Sequence, residues 1–120
     1  MNSPSRPLLP ADRVSPAAAQ QMADFHKDYV DEVSAAVARD HIVVVGMAQN
    51  PVVKRAKSAL AAEKIPFTSI DHGSYLSGYR RRLAIKLWSG YPTFPQVFVD
   101  GVLIGGANEL IAGIAAGTIK

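Results

Sequence analysis

The chain contains no cysteine. That absence removes disulfides, thiolate metal ligation and any thiol nucleophile supplied by the polypeptide itself. No uninterrupted apolar run approaches the roughly 20 residues that crossing a bilayer requires, and the N-terminal stretch lacks the apolar core of a secretory signal. Charge of one sign is scarce as well. Thirteen Lys and Arg against ten Asp and Glu leave a net +3, too weak a field to imply nucleic acid. Arg80-Arg81-Arg82 is the one dense basic run. Three consecutive helical residues fan through about 200°, so they read as a solvated helix face and not as a phosphate patch. His26, His41 and His72 have no metal-ligand spacing, and the chain carries no Ser-His-Asp triad, paired catalytic carboxylates, Walker loop or Gly-rich dinucleotide motif. The expectation is no metal, no nucleic acid and no membrane.

What is present is an ordinary globular composition, 120 residues with 48% hydrophobic and 19% charged. A chain of this length buries roughly two thirds of its unfolded surface in one domain. Residues 1–16 hold four of the eight prolines and no apolar period, which predicts a flexible tail before a single domain over 17–120. Arg6, Arg13 and three serines faintly suggest an organelle presequence, but Asp12 and the prolines oppose it. A cytoplasmic protein is therefore expected.

Ser15 and Pro16 form a helix start, with Ser as N-cap and Pro as first helical residue. Met22, Phe25, Tyr29, Val33, Ala36 and Val37 then recur at helical spacing, predicting one long helix over Ala17 to Arg39 with His26 on its surface. The continuous run Ile42-Val43-Val44-Val45 within 41–47 reads as a buried central strand. Asn50-Pro51 opens a second helix reaching Lys64, with Val53, Ala56, the Lys57 stem and Leu60 inward. Residues 65–71 form a second strand, so the strand, helix, strand order implies a parallel crossover. After a loop at His72-Gly73-Ser74, a third helix runs from Tyr75 to Ser89 with Leu76, Tyr79, Leu83 and Leu87 on the buried side, and Gly90 closes it.

Thr93-Phe94-Pro95-Gln96-Val97-Phe98-Val99-Asp100-Gly101, a second apolar run and Gly105-Gly106 spell a β-hairpin feeding a last helix over 108–116, closed by Gly117. Asp-Gly suits a type I′ turn, which needs φ > 0 at both central residues. The whole is an α/β chain with a four-stranded mixed sheet and helices on both faces. Trp88, Tyr91, Phe94 and Phe98 flank strands and read as core.

The run from Thr93 to Gly101 with Gly105-Gly106 resembles the glutaredoxin family of the thioredoxin fold. The likeness extends from about His41 to the C-terminus, with an added N-terminal helix and a monothiol-like C-terminal half. It implies a cis bond before Pro95, and a Gly-Gly pair that lets a glutathione backbone approach. In dithiol members the first strand is followed by Cys-Pro-x-Cys and often His-Arg-Ala-Lys. Here that register reads Asn50-Pro51-Val52-Val53-Lys54-Arg55-Ala56-Lys57, so Asn50 and Val53 occupy the cysteine positions. The glutathione-binding candidates carried over by the resemblance are Arg82, Phe94, Pro95, Gly106, Ala107 and Asn108. Arg82 matches a monothiol-branch arginine for the glycine carboxylate, while the lysine that serves the same group is replaced by Met47. Phe94 offers backbone groups to the cysteinyl unit. Ala107-Asn108 replaces a Cys-Asp pair that holds the γ-glutamyl end, which weakens a charge-assisted bond typically worth about 1.5 to 3 kcal/mol.

Thiol exchange needs a thiolate, which this family stabilises at a helix N-terminus. Without the sulfur, disulfide reduction, deglutathionylation and cysteine-ligated iron–sulfur binding all lose their central atom. Asn50 then has two readings: an N-cap, or a donor to a bound ligand's sulfur. The first makes the protein a non-redox binding or interaction module with weak glutathione affinity and a protein partner. The second makes it a glutathione-dependent transferase or peroxidase in which the ligand brings the thiol.

Overall fold

The computed structural model describes residues 7–71 and 78–120. After an exposed lead-in with one 3₁₀ turn at Ala11–Arg13, the elements are α1 (Pro16–Asp24), α2 (Lys27–Arg39), β1 (Ile42–Gly46), α3 (Pro51–Ala62), β2 (Thr68–Asp71), α4 (Tyr79–Ser89), β3 (Gln96–Val99), β4 (Val102–Gly105) and α5 (Ala107–Ala115). One mixed sheet has strand order β2-β1-β3-β4. β1 runs parallel to β2, with Val44 opposite Ser69, and antiparallel to β3, with Val44 opposite Val97. β3 and β4 form the predicted hairpin. Among the described residues no helix is long and apolar enough to cross a membrane.

The period of two along β1 builds two cores. Ile42 and Val44 face Ala56 and Leu60 of α3 and Ala107 and Leu110 of α5. Val43 and Val45 face Tyr29, Val33, Ala36 and Val37 of α2, with Ile85 of α4 and Phe98 of β3. Both faces of the central strand are buried, which is why it reads as an unbroken apolar run. The Asp100-Gly101 turn has φ of 50° and 81°, the type I′ signature. Gly90 ends α4 at φ 78°.

Two expectations are corrected. The predicted 17–39 helix is broken at His26, which takes a left-handed conformation (φ 47°, ψ 43°) between α1 and α2. At about 20 Å, α2 alone crosses the face of a four-stranded sheet. α1, which precedes it, buries none of its side chains, and Met22 stays 68% exposed. Ser15 caps α1 as expected, its Oγ accepting from the Ala18 N–H at 3.2 Å.

The second correction concerns α4. Its buried residues are Arg82, Ala84 and Ile85, while Tyr79, Leu83 and Leu87 are exposed. The leucine stripe and the Arg82–Ile85 stripe both have helical spacing, and the long stem of arginine can bury as apolar surface. Leu76, the start of the predicted helix at Tyr75, and the His72-Gly73-Ser74 loop lie outside the described residues. Of the aromatic residues, Phe98 is core, Phe94 packs partly against that core, and Trp88 tilts over Phe98 at 5.7 Å while remaining 39% exposed.

Candidate functional site

The site forms where the starts of α3 and α5 meet the loop before β3. At α3, Asn50 is extended (φ −91°, ψ 121°) and its Oδ1 accepts from the N–H groups of Val52 at 2.9 Å and Val53 at 3.0 Å. Pro51 is the first helical residue and has no N–H to offer. The first-turn donors that a thiolate would need are therefore occupied by the side chain standing at the first cysteine position.

Val53, at the second cysteine position, is buried. A Cβ on Gly46 would come within 2.7 Å of Val53 Cγ1 and 2.9 Å of Cγ2, so the valine methyls fill the space that this glycine leaves open. The lysine-replacing Met47 is buried beside them.

The opposing wall is built by the hairpin. The Phe94-Pro95 bond is cis and Pro95 is buried. Gln96, fully buried, donates from Nε2 to the Tyr91 carbonyl at 3.0 Å and so ties the loop to the strand. A Cβ on Gly106 would lie 3.3 Å from the Pro95 carbonyl and 3.6 Å from the Tyr91 hydroxyl, so glycine lets α5 begin hard against this loop. Gly105 has φ 128°, and the position of its missing Cβ is filled by Glu109, whose Oε1 accepts from the Gly106 N–H at 2.7 Å. Against Gly105, at least, the close approach is made by the chain's own side chain.

Phe94, Pro95, Gly106, Ala107 and Asn108 line one cleft of about 140 Å³. Arg82 does not line it. That side chain is buried on α4, which lies on the α2 side of the sheet. Burial raises the phenol pKa of Tyr29 on the facing α2, against smaller downward pulls from Arg81 and then Arg82. The two positions that the resemblance linked to a glycine carboxylate, 47 and 82, are thus a core methionine and a buried arginine outside the cleft.

The structure adds a residue that the sequence reading missed. Arg55 lines the same cleft, and its Nη2 donates to Asn108 Oδ1 at 2.5 Å across 53 positions of sequence. The available signal was the i, i+3 spacing of Val52 and Arg55, which puts both on one face of α3. On the other side of the α3 start, a more open groove of about 570 Å³ is bordered by Gln49, Asn50, Lys54 and the Lys57–Asp71 ion pair.

A thioredoxin-like sheet, a cis-proline loop facing a helix start, and a second helix start after Gly-Gly together define the glutaredoxin arrangement. The glutaredoxin family model matches residues 42–104, and the chain belongs to that family. The "Glutaredoxin-like protein" of Dictyostelium discoideum is 42% identical over 96 residues, covering 80% of this chain and 78% of that protein. "Monothiol glutaredoxin-S11" of Oryza sativa subsp. japonica is 36% identical over 61 residues, which is 51% of this chain but only 12% of the longer rice protein. The fold matches the crystal structure of a buckwheat glutaredoxin–glutathione complex with a TM-score of 0.65 at 20% identity, covering 82% of this chain and 86% of that one. This is a glutaredoxin-family protein without cysteine.

Proposed function

We propose that the protein is a non-redox binding module of the glutaredoxin fold, which holds glutathione or a related carboxylate-bearing peptide weakly in the α5 cleft and acts through a protein partner. The observation that carries this reading is the closed start of α3. Asn50 Oδ1 accepts both first-turn N–H bonds, so the position offers neither a sulfur nor vacant donors to stabilise one. The same bonds weigh against the transferase or peroxidase reading, because a bound ligand's thiolate would first have to displace the Asn50 cap.

The cleft supports the binding half of the proposal in part. The Phe94-Pro95 loop and the start of α5 face one another across a space of the right character for a peptide end. The buckwheat relative of the same fold was crystallised with glutathione. Met47 and buried Arg82 leave the other end of such a ligand without the cations named by the resemblance, which supports weak binding. The test is reduction of a glutathione mixed disulfide by the purified protein. A rate equal to background is expected, and a rate above it would contradict the proposal.

A further inference from the structure

We infer that Arg55 sets the specificity of the α5 cleft, selecting an end group that carries a carboxylate with no ammonium beside it. This rests on the reading of the cleft as a ligand site given above. The cleft is small, about 140 Å³, and it is formed by the Phe94-Pro95 loop and the start of α5, so it receives one end of a ligand. Its charged side chains are Arg55 and Glu109, and their situations differ. Glu109 is engaged at the start of its own helix, with Oε1 on the Gly106 N–H at 2.7 Å and its carboxyl in the space beside Gly105. Arg55 has no carboxylate within ion-pair distance among the described residues.

The contact that Arg55 does make points the same way. Asn108 Oδ1 is the neutral acceptor that an incoming ammonium would use, and it already accepts from Arg55 Nη2 at 2.5 Å. An ammonium placed there would lose that acceptor and stand against a guanidinium. A carboxylate would meet a cation with several N–H donors still available, in the planar geometry that suits it. The first-turn N–H groups of α5 add to this preference, because Gly106 at the N-cap has no side chain to cover them. The ligand class is therefore an acyl or peptide chain ending in a lone carboxylate, and the zwitterionic γ-glutamyl end of glutathione is the poorer fit.

The experiment compares two peptides on the full chain by calorimetric or NMR titration: glutathione, and glutaryl-Cys-Gly, which is glutathione without its α-amino group. Glutaryl-Cys-Gly should bind roughly fivefold more tightly at low salt, with the difference shrinking as salt rises. Arg55→Gln, at an exposed position, should reduce the two affinities to near equality with unchanged thermal stability. Asn108→Asp should reverse the preference. Glu109→Gln, which keeps an acceptor for Gly106, should leave it intact. Equal or tighter binding of glutathione by the natural chain, an unchanged preference in Arg55→Gln, or selective loss of glutathione in Glu109→Gln would each overturn the assignment while leaving the cleft a ligand site. Failure of both peptides to bind would overturn the proposed function with it.

Discussion

Two helix starts stand on either side of one cleft, and the chain treats them oppositely. At α3 the N-cap is Asn50, whose side chain bonds two N–H groups, and the next residue is a proline with none. At α5 the N-cap is Gly106, which has no side chain, and Glu109 reaches back only to the Gly106 N–H itself. The first start is sealed with the residue types that serve helix stability best. The second leaves its opening turn toward a cleft that also holds an arginine. The proposed function, binding without redox transfer, rests on this difference between a filled helix start and an open one.

The largest expected effect tests how completely the α3 end has joined the core. Gly46→Ala drives a methyl into Val53, and Val53→Ala leaves a void against Gly46; each should cost about 2 kcal/mol in chemical denaturation. Combined, the two should cost clearly less than their sum, because each relieves the other. Strict additivity would mean that the two side chains do not meet as described.

A smaller effect belongs to the cap. Asn50→Ala should lose about 1 kcal/mol, whereas Asn50→Asp should match or exceed the natural chain because a carboxylate also complements the helix dipole. The matching change at the open end, Glu109→Ala, removes one partly buried backbone-to-side-chain bond and should cost about 0.5 kcal/mol. If Glu109→Ala cost more than Asn50→Ala, the contrast between sealed and open starts would be reversed.

A control lies away from both helix starts. His41 Nδ1 pairs with Asp100 Oδ1 at 2.6 Å and its Nε2 with the Lys120 main-chain oxygen at 3.0 Å, and the Asp100 bond followed by the Lys120 bond raises its pKa above the usual 6.5. A folded-state value above the unfolded one means that this clasp stabilises fully below pH 6.5 and that its contribution is lost as pH rises through the raised value. Denaturation midpoints should fall over that window, and His41→Gln should flatten the slope there without changing ligand titrations at the cleft.

Where one residue's own backbone dictates the geometry, the fold was readable in advance. Asp100-Gly101 and Gly90 sit at the positive φ that their types tolerate, and Asn50-Pro51 is both the sequence and the structure of a helix start. The unbroken apolar run of β1 matched its burial on both faces. Other features depend on what an element packs against, and local periodicity does not carry that. The apolar stripe continues smoothly from Met22 through Tyr29, yet the helix breaks at His26. α4 has two candidate stripes, and the one containing a buried arginine faces inward. In the cleft, five of the six carried-over positions converge because they lie on one loop and one helix start. Arg82 comes from a different layer. Arg55 was hidden because its partner is 53 residues away and neither residue alone has a distinctive pattern.

The most direct measurement of the central claim is a backbone amide titration of the full chain with glutathione, read at both helix starts. Shifts are predicted at Phe94, Ala107 and Asn108, with the Val53 amide unmoved because Asn50 already holds it and Val53 lies in the core. Saturable shifts at Val53, with Ala107 and Asn108 silent, would contradict the account.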